Sequence, residues 1–348
     1  MAVVQHPALD RPQRPVVSVC IANYDGERLL ADCIDSVLAQ DGDAAVEIIV
    51  HDDASSDGSL ALLRERYPQV ELLASEENVG FCIANNRMVA QARGDYVLLL
   101  NNDAALYTDA VATLLAAARA QDVPGILTLP QYDWETGALV DRGCLLDPFY
   151  NPVPNLDPAR RDVAYVIGAC LWIPRAKWNE LGGLPEWMGS IGEDLYLCGV
   201  ARLRGMPVCA LAGSGYRHRQ GATFGGNRAG ATGLRTSVKR RRLSERNKTR
   251  ALCILTPGLA MRPLLAVHVA ALAVEGLVLC AGRRDATLWR EVYRPAIATP
   301  WREARMLRSR RREVQALRTI TTRQWFAAVR WQLRKGVLLL KFGLPDVR

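Results

Sequence analysis

Three apolar runs that stop at carboxylate-bearing loops constrain the fold of this chain more than any other feature. They occupy residues 17–26, 46–59 and 94–104, and the third, GDYVLLLNNDA, changes abruptly from leucines to a polar tip that ends in Asp103. Continuous apolar runs are typical of strands that are buried in a parallel sheet. In such sheets the loops at the carboxyl ends of the strands form a crevice in which ligands bind.

The segments between these runs have the spacing of amphipathic helices. In ERLLADCIDSVLAQ (27–40), apolar residues recur three and four positions apart, as a helix with one buried face requires. Two further helical candidates, SLALLRERYP (59–68) and FCIANNRMVAQAR (81–93), are separated by the short apolar run VELLAS (70–75). Strands and helices therefore alternate, which predicts a parallel, right-handed, doubly wound α/β sheet.

Four sequence blocks, in order along the chain, carry a family resemblance: VSVCIANYDGERLLADCIDSVLAQ, EIIVHDDASSDGS, ENVGFCIANNRMVAQARGDYVLLLNNDA and GACLWIPRAKWNELGGLPEWMGSIGEDLYLCGVARLRGMPV. Together they cover roughly the first two thirds of the chain. The sequence resembles the family 2 glycosyltransferases of the GT-A fold, and within them the bacterial rhamnosyltransferase-like enzymes of cell-surface polysaccharide synthesis. The resemblance implies a mostly parallel central sheet that is flanked by helices.

The composition of the chain changes along its length and predicts three regions. A Pro-rich, polar flexible tail is expected at residues 1–15, with no apolar core of a signal peptide. The resemblance implies a GT-A catalytic domain at 16–238, with a nucleotide-sugar-binding half at 16–125 and an acceptor half at 126–238. Residues 239–348 are expected to form a basic, amphipathic helical extension that associates with a membrane.

Metal binding is predicted at Asp103. A nucleotide sugar releases a diphosphate, and a divalent cation (Mg or Mn) held by oxygen ligands suits that leaving group. The family's Asp-x-Asp motif reads Asn101, Asn102, Asp103 here, which leaves fewer negative charges. The resemblance also implies that His218 joins the metal or the diphosphate. The alternatives are that Asn-Asn-Asp only caps the next helix and that His218 is a surface residue without a role.

Nucleotide-sugar binding is predicted for Ala22, Tyr24, Asp52, Asp53 and Gly80, together with Asn102 and Asp103. By resemblance, Asp52 and Asp53 hold the base and the ribose, because carboxylates accept hydrogen bonds from N–H and hydroxyl groups. Tyr24 is expected to stack on the base, and Ala22 stands where the family often has Thr. Gly80 permits close approach of the backbone. The alternatives are an Asp-rich turn and a simple turn glycine.

The second predicted site element is Gly192, Glu193 and Asp194. An inverting transfer needs a base that reaches the acceptor hydroxyl, and the family's Glu-Asp motif implies that Asp194 is this base. Glu193 would orient the acceptor or the base, and Trp187 and Gly192 would contact the acceptor. The alternative is that both carboxylates only favour the positive N-terminus of the following helix.

The glycines from Gly221 to Gly233 predict a loop that closes over the bound nucleotide. Nine cysteines without a Cys-x-x-Cys pair favour reduced core thiols in a cytoplasmic protein over disulfides or zinc ligands.

The positive charge that gives the chain its formal net charge of +8 is concentrated in the C-terminal region. Its apolar run LLAVHVAALAVEGLVLCAG (264–282) contains His268 and Glu275 on one helical face, which favours a helix at the membrane surface or packed on the protein over a spanning one. In the last segment, RQWFAAVRWQLRKGVLLLKFG (323–343), a stripe that begins at Trp325 opposes basic residues. Such helices favour anionic lipid, and packing onto the protein is the alternative.

Together these features predict an inverting hexosyl- or deoxyhexosyltransferase. Its donor would be a UDP-, GDP- or dTDP-linked sugar, and its acceptor a glycan or lipid-linked glycan. We expect it in the cytoplasm, peripherally bound to the inner membrane, with no nucleic-acid partner. The alternative is a basic nucleic-acid- or membrane-binding protein with a non-catalytic GT-A domain. A dinucleotide-dependent oxidoreductase is disfavoured because residues 22–27 lack Gly-x-Gly-x-x-Gly.

Overall fold

The computed structural model describes residues 3–221, 228–230 and 233–347. The elements up to residue 141 are β1 (Val3–His6), β2 (Val17–Asn23), α1 (Glu27–Leu38), β3 (Val46–Asp53), α2 (Ser59–Arg66), β4 (Glu71–Ser75), α3 (Phe81–Gln91), β5 (Tyr96–Asn101), β6 (Ala104–Leu106), α4 (Ala110–Arg119), β7 (Ile126–Thr128), β8 (Gln131–Asp133) and β9 (Leu139–Asp141). Strands and helices alternate from β2 to β5.

The remaining elements are shorter strands followed by a run of helices. From residue 144 to residue 218 they are β10 (Cys144–Leu146), β11 (Pro152–Pro154), β12 (Cys170–Pro174), α5 (Arg175–Leu181), α6 (Glu193–Leu203), β13 (Val208–Ala210) and β14 (Tyr216–His218). Beyond them lie β15 (Arg228–Gly230), β16 (Gly233–Thr236), α7 (Val238–Leu255), α8 (Met261–Arg283), α9 (Arg294–Arg302), α10 (Ala304–Ala316), α11 (Thr322–Phe326), α12 (Arg334–Phe342) and β17 (Asp346–Val347).

The chain divides into two compact units. The sheet unit comprises Met1–Gly143, Pro154–Ala201 and Met206–Arg219, and the helical unit comprises Cys144–Val153, Arg202–Gly205 and Gln220–Arg348.

An eight-stranded sheet in the order β1-β4-β3-β2-β5-β12-β7-β13 is the centre of the sheet unit. Strands β4, β3, β2 and β5 are parallel, as the alternation of strands and helices predicts. The strand direction reverses at β12, which pairs antiparallel with β5. A second sheet in the same unit has the order β6-β14-β8-β9.

Burial on both faces explains the apolar composition of the central strands. Val19 and Ile21 on one face of β2 are fully buried, and so is Cys20 on the other face. Helix α1 covers part of this sheet with its buried residues Leu30, Cys33, Ile34 and Val37, whose spacing of three and four is that of one helix face. All nine cysteines are free thiols, and seven of them are buried.

The N-terminal residues differ from the expected flexible tail. Strand β1 pairs antiparallel with the edge strand β4. The guanidinium of Arg11 forms ion pairs with Glu47 at 2.7 Å and with Glu71 at 3.3 Å, and both carboxylate side chains are only 1% exposed. Because a buried carboxylate needs a partner, this arginine ties the segment to the sheet.

In the helical unit, helices α8 and α9 and the π-helical turn Trp289–Tyr293 surround a second apolar cluster. In the part of the chain that the structure describes, one helical stretch, Gly258–Arg283 (26 residues), is long and apolar enough to cross a membrane by its length and composition.

The final segment does not form one helix with one exposed stripe. Helices α11 and α12 are separated by residues 327–333. Trp325 is 1% exposed, and its ring lies against the guanidinium of Arg202 at 4.7 Å and near the ring of Tyr150. The expected stripe therefore packs on the protein at this end, which was the alternative interpretation.

Candidate functional site

Three carboxyl ends of parallel strands lie side by side at one edge of the central sheet. In the register of the sheet, Asn23 of β2 is paired with Asp52 of β3, and Ala22 of β2 is paired with Asn101 of β5. The polar residues that follow these strands therefore share one edge, where ligands bind in sheets of this kind.

Asp52 is fully buried and shapes the loop after β3. Its carboxylate accepts hydrogen bonds from the side-chain amide of Asn23 at 2.9 Å, from the backbone N–H of Ser55 at 3.0 Å and from the Ser55 hydroxyl at 2.7 Å. Between them Ala54 has a φ of 63°, a conformation that is uncommon for a residue with a Cβ atom. The base- or ribose-binding role expected for Asp52 stays a prediction.

Asp53 and Gly80, two predicted binding residues, are in direct contact. The two carboxylate oxygens of Asp53 accept from the backbone N–H groups of Val79 at 2.7 Å and Gly80 at 2.8 Å. Gly80 precedes α3 and has a φ of 85°, which favours glycine. Tyr24 is 45% exposed beyond β2, whereas Ala22 is half-buried.

Asn102 is tied to the loop after β2. Its side-chain amide donates to Oδ1 of Asn23 at 2.8 Å. A Cβ atom on Gly26 would lie 2.1 Å from Asn23 Oδ1 and 2.3 Å from Asn102 Nδ2, so only glycine fits above this pair.

Asp103 and His218, the two predicted metal ligands, are brought together by the second sheet. Strand β14 pairs antiparallel with β6, and His218 lies opposite Ala104. Nε2 of His218 is 3.0 Å from Oδ1 of Asp103, and Nδ1 is 3.1 Å from Oε1 of Gln131. Both predicted ligands are largely buried, with 4% exposure for Asp103 and 8% for His218.

The chemistry of this pair fits a divalent cation. A carboxylate oxygen and an imidazole nitrogen are both common metal ligands, and about 3 Å is also the separation of neighbouring ligands on one octahedral ion. Among the residues that the structure describes, no group of three or more His, Cys, Asp or Glu could hold a metal. A cation held by Asp103 and His218 would therefore need further ligands of another kind.

Another carboxyl group of the second sheet is Asp141 on β9. Burial raises the pKa of Asp141 to about 7, although the N–H of Gly143 and the charge of His218 act in the opposite direction. Neither Asp141 nor Gln131 is part of a motif that the sequence analysis identified.

Asp194 lies next to the end of β5. Its carboxylate accepts from the backbone N–H of Gly168 at 3.2 Å and from that of Leu195 at 2.7 Å. The residue after Gly168, Ala169, accepts at its carbonyl from the N–H of Asn101 at 3.3 Å. A short chain of hydrogen bonds thus connects the predicted base with the strand end that precedes Asp103.

The loop before α6 contains several left-handed residues. Gly189, Ile191 and Gly192 have φ values of 77°, 69° and 96°. A β-branched residue such as Ile191 rarely adopts this conformation, and strained backbone of this kind clusters at functional sites. Helix α6 begins directly after this loop with Glu193, which is 7% exposed.

The first turn of α3 connects the two halves of the site. The pKa of the Cys82 thiol is raised by burial first, and then by the nearby carboxylates of Glu193 and Asp194. Gly80, two residues earlier, donates to Asp53. One short segment therefore contacts Asp53 and also lies close to Glu193 and Asp194.

Trp187 is partly buried and packs edge-on against Tyr196 of α6, with ring centroids 5.4 Å apart. The glycine loop expected to close over the nucleotide, Gly221 to Gly233, mostly lies outside the described residues, since residues 222–227 and 231–232 are not among them.

Comparison with known proteins agrees with this architecture. Residues 18–171 match the family model "Glycosyl transferase family 2". The chain is 28% identical over 182 residues to the N-acetylglucosaminyl-diphospho-decaprenol L-rhamnosyltransferase of Mycobacterium tuberculosis, an alignment that covers 44% of this chain and 59% of that protein. It is 35% identical over 188 residues to the chondroitin synthase of Escherichia coli, covering 53% of this chain and 26% of that protein.

Among solved structures, the fold is similar to that of the mannosyltransferase PcManGT from Pyrobaculum calidifontis, solved in complex with GDP-Man and Mn²⁺. The TM-score is 0.53 at 18% identity, and the match covers 85% of this chain and 90% of that one. At such an identity the likeness concerns the fold. None of the relatives named here supports the alternative of a non-catalytic nucleic-acid-binding protein. The chain thus contains a glycosyl transferase family 2 domain, with the GT-A fold that its sequence predicts.

Proposed function

We propose that this chain is an inverting glycosyltransferase of cell-surface polysaccharide synthesis. It would move a hexosyl or deoxyhexosyl group from a UDP-, GDP- or dTDP-linked donor to a glycan or lipid-linked glycan. The family match supports the reaction class. The rhamnosyltransferase and the chondroitin synthase named above support the setting, although the chain spans only 59% and 26% of their lengths.

One observation carries this proposal: Asp53, Asp103 and Asp194, far apart in sequence, follow or adjoin elements at the same edge of the sheet. Asp53 holds the start of α3, Asp103 follows β5, and Asp194 is linked to β5 through Gly168. A nucleotide sugar needs such a site, because its base, its diphosphate and its reacting sugar carbon must be held at the same time.

On the donor side, Asp53, Tyr24 and Ala22 would contact the nucleoside. Two backbone N–H groups fix the orientation of the Asp53 carboxylate at the end of β3. Tyr24 follows the neighbouring strand β2 and is exposed. Asp52 and Asn102 would contribute to the same nucleotide-sugar pocket, and both side chains are positioned by Asn23.

Asp103 and His218 would hold a divalent cation, Mg²⁺ or Mn²⁺. When bound, the cation would neutralise charge on the diphosphate leaving group. Gln131 would orient the imidazole through Nδ1.

Asp194 would take the proton of the acceptor hydroxyl. The acceptor oxygen then forms a bond to the anomeric carbon of the sugar while the bond from that carbon to the diphosphate oxygen breaks, so that the nucleoside diphosphate leaves and the configuration inverts. Two backbone N–H groups donate to this carboxylate and stabilise the negative charge that a base needs. Glu193 would orient the acceptor, and Trp187 and Gly192 would line its path.

The first test is a thermal-shift and hydrolysis screen of nucleotide sugars with and without Mn²⁺ or Mg²⁺. We expect a metal-dependent response to one donor. A folded protein that responds to no donor contradicts the proposed reaction class.

The second test separates the two carboxylates. We expect Asp194→Asn to keep donor binding and lose transfer by about 10²- to 10⁴-fold, the usual effect of removing a general base. We expect Asp103→Ala to lose metal-dependent donor binding. Glu186→Gln, in the same loop region, is the matched carboxylate control and should transfer normally. Transfer by Asp194→Asn at the wild-type rate excludes this residue as the base.

We also propose that the protein works at the cytoplasmic face of the inner membrane as a peripheral protein. The long apolar helix α8 and the basic C-terminal region support this location.

A further inference from the structure

Helix α8 exposes apolar residues, whereas a helix that faces water normally exposes polar ones. Along its whole length the exposed positions recur every three or four residues, and between Pro263 and Ala281 none of them is charged. Val267 is 55% exposed, Val274 62% and Leu277 60%. This uninterrupted apolar face is about 27 Å long at 1.5 Å per residue.

The polar residues of α8 lie on its opposite, inner side. His268 is buried, and its Nε2 is 2.9 Å from the hydroxyl of Thr249 on α7. Glu275 accepts from Arg241 of α7 and from Lys335 of α12. The orientation of this amphipathic helix is therefore opposite to that of an ordinary surface helix. Its polar side faces the protein and its apolar side faces outward.

Helix α12 and the residues after it extend this face. Lys335 anchors α12 beside α8 through Glu275, and a Cβ atom on Gly282 would lie 3.2 Å from the side chain of Leu344. Leu340 is 91% exposed and Leu344 50%. We call the exposed apolar residues of α8 and α12, together with Leu344, the apolar face; its large members are Val267, Val274, Leu277, Val278, Val337, Leu339, Leu340 and Leu344.

The charge around this face is strongly positive. Residues 220–348 contain 27 Lys and Arg against 7 Asp and Glu, whereas residues 1–219 contain 17 against 29. Exposed basic side chains lie at both ends of α8 (Arg262 and Arg284), shortly before α12 (Arg330) and within α12 (Lys341). An apolar surface with basic residues at its margin matches the interface of an anionic bilayer, where apolar groups enter the acyl boundary and cations meet head groups.

A membrane-spanning α8 does not agree with these contacts. A spanning helix that is not part of a bundle has lipid on all sides, but the inner side of α8 packs on α7 and on the turn Trp289–Tyr293. At Gly276 a Cβ atom would lie 2.7 Å from the ring of Tyr293. The ion pairs of Glu275 would also have to enter the hydrocarbon core.

We propose that the apolar face is a docking surface for an anionic lipid bilayer, on which α8 lies parallel to the membrane plane. This inference rests on the membrane association in the proposed function and gives it a location and an orientation. It does not depend on the transfer reaction, because no residue of the face belongs to the candidate site.

The test is flotation of the full-length protein with vesicles of phosphatidylcholine alone and of phosphatidylcholine with phosphatidylglycerol. We expect binding to the anionic vesicles that weakens as salt increases. The double variant Val274→Glu, Leu277→Glu should bind at least about tenfold more weakly, because both charges would have to enter the apolar boundary. Leu340→Glu tests α12 in the same way.

Leu156→Glu is the matched control, since Leu156 is exposed to a similar extent (56%) but lies in the sheet unit. It should bind like the wild type. Circular dichroism and donor hydrolysis without vesicles should be unchanged in all variants, so that a failure of docking is distinguished from a failure of the proposed reaction.

Three outcomes would overturn the proposal. One is wild-type binding by both the α8 and the α12 variants. Another is resistance of the bound protein to alkaline carbonate extraction, which indicates a spanning helix. The third is a wild type that does not bind vesicles and is a dimer by light scattering, combined with a monomeric Leu277→Glu variant. That result assigns the face to a second copy of the chain.

Discussion

Gln131 gives the imidazole of His218 a defined orientation. Its Oε1 accepts from the hydroxyl of Tyr216 at 2.8 Å and lies 3.1 Å from Nδ1 of His218. An oxygen that accepts requires a proton on Nδ1, which leaves Nε2 to face Asp103. A second partner of this kind commonly tunes a metal-binding histidine.

We therefore expect Gln131→Leu to weaken the affinity for Mn²⁺ by about 10- to 100-fold. The measurement is a titration of free Mn²⁺ by electron paramagnetic resonance in the presence of the nucleoside diphosphate. Gln91→Leu, at an exposed position of α3, is the control and should keep the wild-type affinity. Unchanged Mn²⁺ binding by Gln131→Leu would mean that this hydrogen bond does not orient a metal ligand.

At the scale of secondary-structure elements, α7, α8 and α12 are joined by a buried ionic cluster. Glu245 of α7 is within 2.8 Å of Lys335 and 3.0 Å of Lys248. Burial opposes ionisation of Glu245, but the charges of Lys248, Lys335 and Arg241 outweigh it and lower its pKa. Because each charge has an opposite partner, the cluster can be buried, and removal of one member would leave the others uncompensated.

His268 makes the stability of this helix group depend on pH. Burial lowers the pKa of His268 to about 3, and Lys248 and Lys335 act in the same direction while Glu245 opposes them. In the unfolded chain the histidine has its usual pKa of about 6.5. Its contribution to stability is therefore present above pH 6.5 and is lost as the pH falls towards the folded-state pKa.

Between about pH 7 and pH 5 we expect the wild type to lose about 2 kcal/mol of unfolding free energy through this residue. Glutamine in His268→Gln keeps a polar partner for Thr249 but does not titrate. Over the same pH interval, the unfolding free energy of this variant should therefore fall by about 2 kcal/mol less than that of the wild type. Urea denaturation at the two pH values measures the difference. Parallel pH dependences of the two proteins would show that His268 does not remain neutral in the fold.

At the scale of the whole molecule, each unit has its own apolar core. The core of the sheet unit lies between the central strands and helices such as α1 and α4, and that of the helical unit gathers around Leu272, Val292 and Tyr293. A chain with two cores commonly departs from two-state unfolding.

We accordingly predict two transitions in differential scanning calorimetry. A nucleoside diphosphate with Mn²⁺ should stabilise the sheet unit by about 2.7 kcal/mol at a ligand concentration of 100 times Kd. The temperature of that unit's transition should therefore rise, and the temperature of the other transition should change much less. Asp103→Ala is the control in which this shift should disappear. One transition with equal calorimetric and van't Hoff enthalpies would contradict two separately unfolding cores.

The sequence alone determined the class of fold and the family, and it located Asp53 and Asp103 at strand ends and Asp194 at the start of a helix. Residues such as Ile21 and Leu98 lie in apolar runs, and this local composition predicts that they are buried. The carboxylates that follow the runs indicate where each strand ends. These are short-range patterns, so they can be recognised without knowing which segments meet. The roles of the site residues stay predictions.

Tertiary structure decided what those residues meet. The contact of Gly168 with Asp194, the position of Gln131 beside His218 and the pairing of Lys335 with Glu275 join segments that are 26, 87 and 60 residues apart. The antiparallel register of β12 and the burial of Trp325 also depend on partners that are distant in the chain. Local periodicity carries no information about such partners, because hydrogen bonds and packing between distant segments are selected only when the whole chain folds.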